Sequence, residues 1–182
     1  MLLIAVVGIV LLLRMLFDWY PPPSMAFDDP KDVAVAEHAL AEDFRWFEES
    51  PGWQFSDRSK KGASVLHWLL VHHDISDRMI SNLVKFGSST SSPSKEKQIN
   101  AVTFAIVVDR KNWVEAMVKG GMDINKVMDL GFNAAPLFTA TLHGRQEIVE
   151  YLVSVGADIN VRSVHGRTAI FLTRSSNLQA LK

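Results

Sequence analysis

YLVSVGADIN, residues 151–160, repeats AMVKGGMDIN, residues 116–125, at an offset of 35. The match spreads outward from these ten residues. Ala105 pairs with Ala140, Val114 with Val149, Met117 with Leu152, Val118 with Val153, Gly121 with Gly156, and Asp-Ile-Asn at 123–125 with the same triplet at 158–160. Ala135-Pro-Leu-Phe pairs with Thr168-Ala-Ile-Phe at an offset of 33, and a further unit opens at Gly62-Ala-Ser-Val-Leu-His-Trp. Fixed periods of about 33–36 residues mean a stacked array of one small unit. One unit cannot cover its own apolar side, so neighbours must.

Gly-x-Ser-Val-Leu-His at 62–67, Ala-Pro-Leu-Phe-x-Ala at 135–140, His-Gly-x-x-x-Ile-Val-x-Tyr-Leu-Val-x-x-Gly-Ala-Asp-Ile-Asn at 143–160 and Gly-Arg-Thr-Ala at 166–169 resemble ankyrin repeats. The resemblance covers residues 58–182 and implies units at about 60–92, 93–127, 128–161 and 162–182. The expected fold class is all-α: an ankyrin-repeat solenoid of about four units, with an N-terminal capping helix and a single N-terminal transmembrane helix.

Physical roles follow for the signature residues. Ser or Thr before the first helix accepts a backbone N–H, and Pro136 fits at a first helical position, where a missing N–H is harmless. Ala140 lets two helices approach, while Ile148, Val149, Leu152 and Val153 bury against the next unit. Gly121 and Gly156 end the second helices in a left-handed conformation. In Asp-Ile-Asn, the Ile is an apolar peg and the Asn side chain is expected to bond its own loop backbone.

The array also departs from a regular pattern. The segment 129–136 carries two extra residues, unit two has Ala101-Val-Thr-Phe in place of Pro-Leu-His, and the last unit lacks a full second helix. Gly87 to Lys97, GSSTSSPSKEK, has no apolar residue and is a loop, either mobile or a contact element.

Ahead of the repeats, residues 30–57 read as an acidic helix and a turn. Asp29 can cap a helix with Pro30 at its first position, and Val33, Ala36, Leu40, Phe44 and Phe47 recur on one face of a single helix over 30–49. His38 lies on its polar side. Residues 27–57 hold nine acidic side chains against two basic ones, a net of −7, whereas residues 58–182 hold sixteen Lys and Arg against ten Asp and Glu, a net of +6. The split allows an acidic helix beside a mildly basic body, or a basic surface for an acidic partner.

Residues 1–20 read as a transmembrane anchor or signal segment, joined by a Pro-rich linker over 21–29. Thirteen uncharged residues precede Arg14, and Trp19-Tyr20 would suit an interface. The expected localisation is a single-pass protein of a bacterial inner membrane, leaning to a periplasmic body. The alternative is a cleaved signal peptide with Ser24-Met25-Ala26 as its site.

Chemistry finds little to rest on. No cysteine is present, which removes disulfides, thiolate zinc sites and cysteine nucleophiles. His67, His72 and His73 do not share one helix face, so no metal site is expected. Ser92-x-x-Lys95 lies in a loop without partner motifs, and no phosphate loop or nucleophile elbow occurs. No catalytic residue, cofactor, nucleic-acid partner or small-molecule substrate is expected, and the chain does not read as an enzyme.

Binding remains. In such a stack the concave side is built from hairpin tips and the exposed positions of each first helix, which here are Trp68, Val71, His72, Phe104, Val108, Phe132, Thr139, His143 and Arg162. The expected partner is another protein, with the membrane reached through residues 1–20. The function read from this is a tethered interaction module acting as a scaffold or accessory factor. An immunity protein that neutralises a secreted antibacterial effector is one alternative, resting on architecture alone, and an accessory subunit or unrecognised enzyme is another.

Overall fold

A computed structural model of the chain describes residues 22–50, 56–91, 99–127, 135–163 and 166–169. Among them the elements are α1 (Pro23–Ala26), α2 (Pro30–Leu40), α3 (Phe44–Glu49), α4 (Val65–His72), α5 (Asp77–Phe86), α6 (Ala101–Val107), α7 (Lys111–Lys119), α8 (Pro136–Leu142) and α9 (Gln146–Ser154). Extended pairing is limited there to one antiparallel bridge, Phe27 to Ser59. The chain is an all-helical solenoid.

Local chemistry sets the helix limits. Ser64 accepts from the N–H of His67 to start α4, Ser76 from Met79 to start α5, and Asn100 from Thr103 to start α6. Ala135 has no such bond, and Pro136 alone opens α8. Second helices α5, α7 and α9 end alike: Ser88, Met122 and Ala157 each donate an N–H five residues back, to Leu83, Met117 and Leu152. Gly87, Gly121 and Gly156 take positive φ at these ends, as expected for the last two.

Two rows of helices result. First helices α2, α4, α6 and α8 pack in succession, and second helices α3, α5, α7 and α9 form a parallel row against them. Buried faces recur accordingly: Met79, Ile80 and Leu83 in α5, Val114 and Met117 in α7, Ile148, Val149 and Leu152 in α9, all fully buried. Each such side chain contributes about 1.5–3 kcal/mol relative to exposure. Val153 is half-buried. Gly120 marks a close approach to α5, since a Cβ there would meet Val84 Cβ at 2.6 Å and the Ser81 carbonyl oxygen at 2.8 Å.

The single helix expected over 30–49 is two helices. Ala41–Asp43 break it: Glu42 stands at φ 53°, and the Asp43 carboxylate accepts from Trp46 N at 3.1 Å to start α3. The same turn joins α6 to α7 and α8 to α9, whereas α4 passes to α5 through an extended His73. Asp109 (φ 60°) and Gly144 (φ 65°) occupy the place of Glu42, and Asp43, Arg110 and Arg145 each donate to the carbonyl five residues back. Residues 30–49 therefore form a divergent helix pair of the same design, stacked on α4 and α5. Glu42 fastens it by accepting from Ser76 N at 2.9 Å and from the Ser76 hydroxyl at 2.6 Å.

The Asp-Ile-Asn turn also works differently from expectation. Asp123 and Asp158 accept the N–H of Asn125 and Asn160, closing their own turns, while Asn125 Oδ1 accepts from Asp158 N in the next unit at 2.8 Å. Ile124 and Ile159 pack on the core as pegs.

The expected transmembrane helix and single-pass localisation are corrected. Among the described residues no helix is long and apolar enough to cross a membrane. The longest, α2, has 11 residues, a length of about 16 Å against a hydrocarbon core of about 30 Å. Residues 1–20, on which that expectation fell, lie outside the described residues, as do 92–98, 128–134 and 170–182.

Candidate functional site

Three of the four first helices, α4, α6 and α8, carry no charge, unlike α2. Their sequences, VLHWLLVH, AVTFAIV and PLFTATL, contain no Asp, Glu, Lys or Arg. The second helices carry charged residues on their outer side, among them Asp77, Lys119 and Glu150, so apolar and aromatic groups dominate the first-helix row.

Of the residues expected to meet a partner, Val108 and His143 are both exposed, in equivalent positions 35 apart at the ends of α6 and α8. His143 has its pKa lowered by burial and secondarily by Arg145, which favours a neutral imidazole. Val71 and His72 are half-buried at the end of α4, His72 with its ring 5.6 Å from Trp68. Phe104 is half-buried, 5.9 Å from the His67 ring and 6.3 Å from Trp113.

Two others turn inward. Trp68 is 5% exposed and meets Phe27 edge-on at 5.3 Å, so its ring joins the N-terminal segment to α4. Thr139 is buried, its hydroxyl donating to the Ala135 carbonyl at 3.4 Å. Arg162 is exposed on the last loop and donates to the Gly166 carbonyl at 2.8 Å. Phe132 lies outside the described residues.

Leu142 was not anticipated. It is 42% exposed at the end of α8, beside His143 and 35 residues after half-buried Val107. Its counterpart at the repeat offset, Val107, is half-buried, so register alone carries no signal of its exposure. With Val108, 37% exposed, Leu142 makes the apolar rim of the first-helix face.

Behind this face, polar clamps keep the units in register. Arg145 donates to the Asp109 carboxylate at 3.4 Å and to the Val107 carbonyl. Asn112 Nδ2 donates to Asp77 Oδ1 at 2.8 Å across the second helices. Two internal carboxylates hold the N-terminal pair. Asp32, fully buried, accepts from the Ser56 hydroxyl and from Asp57 N and Arg58 N. Asp57 in turn accepts from Val65 N at 2.9 Å, the Ser88 hydroxyl at 2.7 Å and Ser89 N at 2.5 Å. Burial pushes the Asp57 carboxyl up to about 6 against the pull of these bonds. The start of the Gly87–Lys97 loop is thus a contact element. Among the described residues no group of three or more His, Asp and Glu could hold a metal ion.

A family model described as ankyrin repeats, in three copies, matches residues 54–163. The ankyrin repeat and SAM domain-containing protein 6 of Rattus norvegicus is 37% identical over 73 residues, which are 40% of this chain and 8% of that protein. The crystal structure of the ankyrin repeat domain of Bcl-3, a member of the IkappaB protein family, matches with a TM-score of 0.62 at 18% identity, over 83% of this chain and 65% of that one. The second likeness is one of fold, and the chain spans less than two thirds of both.

Proposed function

The chain belongs to the ankyrin-repeat family, whose fold serves protein–protein interaction, and on that premise we propose that a partner protein lies across the first-helix face, with this chain as scaffold or accessory factor. One observation carries the reading: Val108 and Leu142 stand exposed at the ends of α6 and α8, which with α4 are first helices free of charge. Water-facing apolar groups at the ends of neighbouring first helices cost solubility and are repaid when a partner covers them. Phe104, Val71, His72 and His143 flank them, and Arg162 stands on the loop edge. The role is binding, without a chemical step of its own.

The test is site-specific photo-crosslinking in the cells that make the protein. A crosslinker at Leu142 or Val108 is expected to give a discrete adduct, and one at Lys119 or Glu150 on the second helices none. Adducts only from Lys119 or Glu150, or none anywhere, would sink the reading.

A further inference from the structure

We propose that the mature protein keeps α1: the bond from Ala26 to Phe27, to which Ser24-Met25-Ala26 would direct a signal peptidase, stays uncut. Retention of α1 does not depend on the partner face.

A leader that is removed contributes nothing to the mature body, so residues ahead of its cleavage site have no reason to pack there. Here the residues on both sides of the bond are built into one unit. Ahead of it, Pro23 is buried and α1 packs on α2. The Pro22 carbonyl accepts from Met25 N at 2.9 Å, and the Pro23 carbonyl accepts from Phe27 N at 3.0 Å, reaching across the bond itself. The Ala26 carbonyl, which is part of that bond, accepts from Lys60 N at 2.8 Å in the loop entering α4. Behind it, Phe27 is 2% exposed, forms the bridge to Ser59 and sets its ring edge-on to Trp68 at 5.3 Å.

A cut would undo these contacts together. The Phe27 amide would become an α-amino group, mostly charged at neutral pH with its ordinary pKa of about 7.7–8.0. It would sit on a residue that the fold buries, and its acceptor on Pro23 would leave with the leader. A charge buried without a partner is costly. Lys60 N would lose its acceptor as well, and a backbone N–H needs one. Swinging Phe27 out into water would relieve the charge but uncover Trp68, which is 5% exposed with that ring against it. The body is therefore the fold of a chain that still carries residues 22–26.

The experiment uses the protein isolated from the cells that make it. Intact mass and N-terminal peptide mapping read where its chain starts, and hydrogen exchange on the same sample reads the packing around the bond. Every folded chain is expected to start at or ahead of Pro22, with the Phe27 and Lys60 amides exchanging at least about tenfold slower than in the unfolded chain. A chain that starts at Phe27, or within α1, overturns the proposal. So do Phe27 and Lys60 amides that exchange at the unfolded rate. No substitution is involved, so a failure to fold cannot imitate either result, and neither result bears on the Leu142 crosslink.

Discussion

Asn125 Oδ1 accepts the backbone N–H of Asp158 at 2.8 Å, a bond from one repeat to the next between residues 33 apart. The same Asn donates its own N–H to Asp123 Oδ1 at 2.9 Å. One residue thus closes its turn with its backbone and sets the spacing to its neighbour with its side chain. Asn125→Ala keeps the turn and loses the link, and is expected to cost about 0.5–1.5 kcal/mol. Asp123→Ala should instead loosen the turn. Hydrogen exchange tells them apart: Asn125→Ala should deprotect the Asp158 amide selectively, and an unchanged Asp158 amide would refute the assignment.

How far the fold was legible follows from which contacts are local. The period, the helix-ending glycines and the apolar pegs lie within a few residues of each other and repeat, so two copies suffice to read them. The break at Glu42 was hidden because Leu40, Phe44 and Phe47 keep helical steps across it, and only the Asp43 cap, satisfied by Trp46, reveals a new start. The carboxylates Asp32 and Asp57 escaped notice because their partners lie as far as 26 and 32 residues away. In the proposed binding face, the exposure of Val108 and His143 was identifiable from register. Exposure at Trp68 was misjudged because Phe27, which meets its ring, lies ahead of the repeats, and at Thr139 because its hydroxyl turns back to the Ala135 carbonyl four residues before it.

Gly120 and Gly121 are adjacent and needed for different reasons. A Cβ on Gly120 collides with Val84 Cβ and the Ser81 carbonyl, although its backbone suits any residue; Gly121 has open space but φ 99°. Gly120→Ala is expected to cost about 1–3 kcal/mol by overpacking. Gly121→Ala should cost about 1 kcal/mol through backbone strain. Val84→Gly, which removes the clashing Cβ, should cost less in the Gly120→Ala background than in the wild type, and the same in the Gly121→Ala background as in the wild type. Equal costs of Val84→Gly in both backgrounds, read from urea midpoints, would contradict this division.

Arg145 holds two acceptors of the preceding unit, the Val107 carbonyl and the Asp109 carboxylate. Asp109 is exposed, so the carboxylate pair alone is worth little, whereas the carbonyl bond is partly buried. Arg145→Ala is expected to cost about 1–2 kcal/mol, and Asp109→Asn well under 1 kcal/mol. Raising the salt concentration should therefore reproduce the small effect and not the large one. A wild-type midpoint as salt-sensitive as the Arg145→Ala loss would show that the ion pair dominates.

Asp57 makes stability depend on pH in a definite sense. Its carboxyl ionises near 3.8 when unfolded and at about 6 when folded, burial being the main cause. Between those values the native state holds a proton that the unfolded chain has released, so this group's contribution is full below pH about 4 and falls as pH rises through 6. The bound is about 3 kcal/mol, at 1.36 kcal/mol per pKa unit. Asp57→Asn removes the titration but also an acceptor for Ser89 N, so its absolute stability drops at every pH. The informative quantity is the slope: urea-derived stability of the wild type minus that of Asp57→Asn should decrease from pH 4 to pH 6.5. A difference that is flat or rises over that interval would mean that the bonds from Val65, Ser88 and Ser89 outweigh desolvation and hold the carboxylate charged.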